Sequence, residues 1–148
     1  MKIIAVDFDG CLCESKWPAI GKPRWAVIHG ILREQAEGAK VILWTCREGR
    51  QLQEAVLWCL NHGLAFDAVN DNLPDNIAFF GNNSRKIYAN EYWDDKNILI
   101  TGAGTVTSIV RANPNGGLSA KIWDNDGKLL VKNIGEKRKR WWQRWRSE

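Results

Sequence analysis

The chain has 148 residues, 45% hydrophobic and 26% charged, with 13 Gly, 4 Pro and 4 Cys; this suffices for one sizeable core and excludes a largely disordered chain, a collagen-like repeat and a disulfide scaffold. Lys and Arg number 21 against 17 Asp and Glu, a net charge of +4, a balance that points to an acidic partner such as nucleic acid or a membrane surface. The whole surplus lies in residues 136–148, which hold six basic and two acidic residues, so residues 1–135 are neutral and their chemistry is separate from that of the tail.

Met1-Lys2-Ile3-Ile4-Ala5-Val6-Asp7 reaches an acidic residue too early for a signal peptide. No apolar run approaches the ~18–20 residues of a membrane span. The expectation is a soluble, cytoplasmic protein with reduced thiols. The apolar run between Lys2 and Asp7 lacks polar alternation, which suits a strand covered on both faces of a parallel sheet. Residues 14–24, with Pro18, Gly21 and Pro23, read as a loop. From Trp25 to Glu37 the period becomes helical: Ile28, Ile31, Leu32 and Gln35 share a face and Gly38 is the stop. Val41-Ile42-Leu43-Trp44 is a second buried strand. Arg50 to His62 is a second helix, with Leu52, Ala55, Val56, Cys59 and Leu60 on its apolar face and Gly63 at its end. Phe66 to Val69 reads as a short strand, and Leu73 to Phe80 as a short helix opening at Pro74. Glu91-Tyr92-Trp93 leads into Asp94-Asp95.

The alternation of strands and helices predicts an α/β fold with a parallel sheet over residues 1–97. Ligands of such sheets bind beyond the carboxyl ends of the strands, where Asp7, Asp9, Thr45, Asp94 and Asp95 fall. After Asn97 the character changes. Ile98–Thr101 and Thr105–Val110 are rich in β-branched residues. The hairpin signals Asn115-Gly116 and Asp126-Gly127 bracket Leu118–Trp123 and precede Lys128–Val131. Residues 98–135 thus read as an antiparallel, β-rich extension, and 136–148 as a basic, Trp-rich tail.

In extended backbone, residues i and i+2 point to the same side, so Asp7 and Asp9 can face one site while Gly10 lets the chain turn away. Taken alone, the fragment is equally an ordinary turn after a strand. Thr45 can donate its hydroxyl, and the next backbone amide its N–H, to a phosphoryl oxygen; alone, it can equally cap the coming helix. Lys86 alone is a solvated cation. Asp94 and Asp95 repel each other unless well solvated or held by a cation.

Together these pieces are far more specific. Val6-Asp7-Phe8-Asp9-Gly10, Ile42-Leu43-Trp44-Thr45-Cys46-Arg47, Arg85-Lys86-Ile87-Tyr88 and Tyr92-Trp93-Asp94-Asp95 occur in that order, with Thr45 38 residues after Asp7 and Lys86 41 after Thr45. The pattern resembles the haloacid dehalogenase superfamily of phosphohydrolases and phosphotransferases, in particular its small phage and bacterial hydrolases, over residues 1–97.

The resemblance implies a three-layer, Rossmann-like sheet and a phosphatase acting on phosphate monoesters. It makes Asp7 the nucleophile that becomes an aspartyl-phosphate, and Asp9 the general acid and then the general base. Thr45, Cys46, Arg47 and Lys86 would bind the phosphoryl group, with Lys86 neutralising the developing charge. Mg²⁺ would be held by Asp7, Asp95 and Asp94, together with the Asp9 backbone carbonyl. A few carboxylates, phosphate and water are what Mg²⁺ prefers, and without a cation four aspartates would repel a phosphate dianion.

Two departures concern the support of these motifs. Cys11 stands where Thr or Val is usual and offers a weaker donor. Asn90 stands where relatives often have Asp. Only 15 residues separate Asp9 from Trp25, too few for a folded cap, and Phe66–Asn83 is also short. The site is therefore expected to be open, with Glu14–Arg24, including Lys16, Trp17 and Lys22, as a rim or an ordinary loop. Cys11, Cys13, Cys46 and Cys59 lack paired zinc spacing. In the tail, Trp141, Trp142 and Trp145 fall at i, i+1 and i+4 among cations. Such a stretch can stack on bases, lie on an anionic membrane, pack on the domain, or stay solvated. The leading substrate is a phosphorylated small molecule. The alternatives are an end-processing phosphatase using the tail to hold nucleic acid, and a non-catalytic binding protein on a hydrolase fold.

Overall fold

The computed structural model describes the backbone of residues 1–100 and, beyond them, strands at 106–108, 111–112, 118–123 and 129–134; side chains are described for residues 1–97. Residues 136–148, with the expected tryptophan face, lie outside the described residues. The chain divides into two units, Met1–Asp95 and Lys96–Glu148.

The first unit alternates strand and helix: β1 (Ile3–Val6), α1 (Trp25–Ala36), β2 (Lys40–Leu43), α2 (Gly49–Asn61), β3 (Ala68–Val69), α3 (Pro74–Phe80) and β4 (Glu91–Trp93). The four strands form one all-parallel sheet in the order β3-β2-β1-β4. The expected α/β fold is therefore present, with three helices. The elements agree with the sequence pattern to within one or two residues at most ends.

Both faces of β1 are covered, which is why it carries no polar alternation. Ile4, Val6, Val41 and Leu43 pack with Ile28 and Ile31 of α1 and Ala55 and Cys59 of α2. Ile3, Ala5 and Ile42 turn to the opposite face and pack with Leu73 and Ile87. Fully burying one such aliphatic side chain contributes about 1.5–3 kcal/mol, so truncating Ile4, which has no exposed surface, costs about 2–5 kcal/mol.

Register fixes what stands at the carboxyl edge. Val6 pairs with Leu43 on one side and Trp93 on the other, and Leu43 pairs with Val69. The next residues, Asp7, Trp44, Asn70 and Asp94, therefore leave the sheet at one level. The chain runs from β1 outward through β2 and β3 and returns to the other side of β1 as β4. This reversal places a crevice between the ends of β1 and β4.

The second unit is an antiparallel sheet of β5 (Ile98–Ile100), β6 (Val106–Ser108), β7 (Arg111–Ala112), β8 (Leu118–Trp123) and β9 (Leu129–Ile134). β8 pairs along its length with β9, so β6 and β7 share its other edge, in registers that differ by one residue. The β-rich extension read from the turn signals is thus a sheet.

Candidate active site

Asp7, Asp94 and Asp95 converge at the crevice between β1 and β4. One carboxylate oxygen from each lies within 4.8 Å of the others. The Asp7 backbone N–H continues the β1–β4 pairing by donating to Trp93 O at 2.9 Å, which locks the two strand ends together. Gly10 closes the floor. Its φ is +88°, and a Cβ there would stand 2.6 Å from Oδ2 of Asp95. Glycine is thus required both for the left-handed turn and for the approach of the carboxylate.

An all-oxygen donor set of this kind suits a hard divalent cation. Oxygens on opposite sides of Mg²⁺ stand about 4.2 Å apart, a spacing comparable to that of the three carboxylate oxygens. Cys11 supports the same corner. Its buried Sγ donates to Trp93 O at 3.3 Å, so the thiol serves as a donor there. Burial, then the charges of Asp7, Asp94 and Asp95, push that thiol up to about 12. Asn90 keeps a similar structural task, its Oδ1 accepting the Ile3 N–H at 2.8 Å, a bond a carboxylate would also accept.

Asp9 does not join the three. Its carboxylate is turned to Arg47, whose Nε and Nη2 donate to Oδ2 and Oδ1, each at 2.7 Å. Arg47 was expected to bind the phosphoryl group. Instead its side chain is only 1% exposed, and it also donates to the carbonyls of Pro18 and Ala19 at 3.1 and 2.9 Å. Its guanidinium carbon lies 4.9 Å from the Phe8 ring centroid and 5.1 Å from that of Trp17. The buried guanidinium thus ties Asp9 to the Pro18 and Ala19 carbonyls. The bonds to Asp9 raise its already high pKa further.

The Glu14–Arg24 segment folds as a strap. Glu14 N–H donates to Lys22 O and Arg24 N–H to Leu12 O, at 2.8 and 2.9 Å. The two arms are so close that a Cβ on Gly21 would lie 2.0 Å from Glu14 O. Trp17, 60% exposed, is at the tip. Arg47 joins this tip to Asp9.

Thr45 stands one residue past Trp44 on the same edge. Its N–H donates to Asn70 Oδ1 at 2.8 Å, and its Oγ1 accepts the Arg47 N–H at 3.2 Å. Among the described residues no group accepts the Cys46 N–H, and Cys46 is exposed. Asn70, at φ 51°, was not identified from sequence. It occupies the left-handed region that Asn tolerates, and its Nδ2 also donates to Arg47 O at 3.3 Å. The Asn that follows a short strand in Val69-Asn70-Asp71-Asn72 was the available signal. Asn72 was missed too. Its buried amide donates to Asn83 Oδ1 and Ser84 O, and accepts the Tyr88 N–H, pinning the segment that carries Lys86.

Lys86 is exposed, with Nζ 5.9 Å from the Tyr92 ring centroid. It lines a cavity of about 380 Å³ whose walls include Asn76, Phe80, Tyr88 and Tyr92 but none of Asp7, Asp9, Thr45, Asp94 or Asp95. The structure thus brings Asp7, Asp94 and Asp95 together, holds Asp9 beside them through Arg47, and sets Lys86 in a neighbouring hollow against β4.

No protein-family model and no curated protein matches the chain. Among solved structures, the conserved protein coded by a locus from Bacteroides thetaiotaomicron is 40% identical, with a TM-score of 0.57, over 64% of this chain and 76% of that one. Among the described residues no helix is long and apolar enough to cross a membrane.

Proposed function

We propose that this chain, which belongs to one family with that conserved Bacteroides protein, is a Mg²⁺-dependent phosphohydrolase of the haloacid dehalogenase type, acting on phosphate monoesters. The observation that carries the reading is the convergence of Asp7, Asp94 and Asp95 at the carboxyl edge of a parallel sheet.

Asp7 attacks phosphorus, so that an Asp7 oxygen–phosphorus bond forms as the ester oxygen leaves. Asp9 gives that oxygen its proton. A water then loses a proton to Asp9 and attacks the phosphorus, releasing inorganic phosphate and restoring the Asp7 carboxylate. Arg47 pairs with both oxygens of the ionised Asp9 and so holds the form that takes the proton from water. The Thr45 hydroxyl and the Cys46 N–H donate to the phosphoryl oxygens, and Lys86 supplies positive charge on the side of β4. Asp7, Asp94 and Asp95, with the Asp9 backbone carbonyl, would hold Mg²⁺, which supplies charge neutralisation between carboxylates and phosphate. The remaining work is positioning.

A phosphate-release screen tests the reading. It should cover sugar phosphates, nucleotides and phosphorylated oligonucleotides, with Mg²⁺ and after chelation. Turnover that disappears with the chelator and returns with Mg²⁺ is expected. Chelator-resistant turnover contradicts the cation's role, and no turnover on any ester contradicts the activity.

A further inference from the structure

The Arg47 side chain is 1% exposed, yet the strap groups that touch its guanidinium stand at the surface. Pro18 and Ala19, whose carbonyls accept from it, are exposed, and so is Trp17, whose ring lies against it. Phe8, the other ring beside the guanidinium, has no exposed surface. Residues 17–19 are thus the contacts of Arg47 that stand next to water, and they form a cover one residue deep.

That cover and Arg47 depend on each other. Backbone hydrogen bonds close the strap at its base, between Glu14 and Lys22 and between Arg24 and Leu12, and Ile20 packs against the core. Among the described residues, the hydrogen bonds to residues 16–20 are the two that Arg47 donates. A cation on an aromatic ring gains most where water is excluded, and the charged hydrogen bonds of Arg47 to Asp9 also strengthen in a dry site.

From these contacts we infer that Trp17 is a positioning residue, acting through Arg47 on Asp9 in the second half of the proposed reaction. In that half a water oxygen bonds to phosphorus, its proton passes to the ionised Asp9, and the bond from phosphorus to the Asp7 oxygen breaks, leaving inorganic phosphate and the Asp7 carboxylate. Arg47 grips both oxygens of Asp9 at 2.7 Å, so the ionised form is the one that the pair aims. Without the indole, water reaches the guanidinium and competes for its donors, and Asp9 loses its fixed direction. The first half draws less on the pair, because protonation turns one Asp9 oxygen into a donor. The catalytic role rests on the phosphohydrolase reading, whereas the cover over Arg47 does not.

The test is kinetics of the full chain with Mg²⁺ on p-nitrophenyl phosphate. Its leaving group departs with little help from a proton, so hydrolysis of the Asp7 ester limits turnover. Trp17→Ala should lower kcat about tenfold and leave kcat/KM nearly unchanged, because kcat/KM reports the steps up to formation of the Asp7 oxygen–phosphorus bond. A burst of one nitrophenolate per chain should precede the slow phase. Trp17→Phe keeps a ring over the guanidinium and should retain most of the wild-type kcat. An unchanged kcat in Trp17→Ala, or an equal loss of kcat and kcat/KM without a burst, overturns the role. Thermal unfolding reads the cover without turnover. Trp17→Ala should lower the midpoint of the wild type, and lower it much less in the Asp9→Ala/Arg47→Met background, where no guanidinium needs covering. Equal shifts in the two backgrounds overturn the cover. If the wild type releases phosphate from no ester, the catalytic role falls with the phosphohydrolase reading, and the two midpoint shifts still decide whether Trp17 covers Arg47.

Discussion

Arg47 and Asp9 meet edge to edge, two guanidinium nitrogens on two carboxylate oxygens at 2.7 Å each, across 38 residues of chain. The guanidinium is buried and the carboxylate 20% exposed. The same guanidinium holds the carbonyls of Pro18 and Ala19, so one side chain fixes both the proposed proton-transfer group and the strap beside it. A planar fork can do this and an ammonium cannot.

Arg47→Ala should therefore lower kcat by about 10²-fold or more, the scale of general acid–base catalysis. Arg47→Lys should recover only part of it, and added guanidinium should partly rescue the alanine variant. Steady-state kinetics on any accepted ester checks all three; full activity in Arg47→Lys would show that bidentate geometry is unnecessary.

Removing the other partner acts on stability. Asp9→Ala leaves a buried charge with only two carbonyls, and should cost about 3 kcal/mol in denaturant unfolding. The double variant Asp9→Ala/Arg47→Met should recover much of that loss, because no buried charge then remains unpaired.

Gly10→Ala should destabilise the fold by about 2 kcal/mol through its left-handed backbone alone. The added Cβ also displaces the Asp95 carboxylate. Mg²⁺ affinity, read by titration of activity, should fall by more than the loss of stability explains.

The thiols should react in an order set by burial. Cys46 is exposed, whereas Cys11, Cys13 and Cys59 are buried. Burial pushes Cys11 and Cys59 up to about 12 and raises Cys13, so all three remain protonated at pH 8. Maleimide should label Cys46 alone in the native chain and reach the others only after unfolding, as peptide mass spectrometry would show.

These outcomes also mark what could be read from the sequence. Asp7, Asp94 and Asp95 were legible because each follows a short strand, and parallel register brings such ends to one edge. The helices were legible from their apolar stripes, and the second sheet from Asn115-Gly116 and Asp126-Gly127. The partner of Arg47 was not legible, because it depends on a strap folding back so that Pro18 and Ala19 present carbonyls. Asn70 and Asn72 were hidden for a related reason: their amides tie together loops far apart in sequence, and no local pattern records such a bond. Lys86 was found by its motif, but the hollow it lines draws its walls from α3, the segment after it and Tyr92, which no local pattern records.

A pH effect follows from the sheet's far end. Lys2, then Trp93 Nε1, hold the Glu91 carboxyl below its usual range. A depressed folded pKa stabilises above the unfolded value of about 4.5, and that stabilisation is lost as pH falls through the lower folded value. Glu91→Gln should thus lower the thermal midpoint slightly at pH 7 and lose less of it between pH 5 and 3 than the wild type does.

The central claim is that Asp7 is the nucleophile of a phosphohydrolase. Phosphate release by the wild type and by Asp7→Asn, on the same esters with Mg²⁺, tests it most directly. The account predicts turnover by the wild type and a loss of about 10³-fold or more in a variant that unfolds at the wild-type temperature. Turnover by Asp7→Asn at the wild-type rate would contradict it.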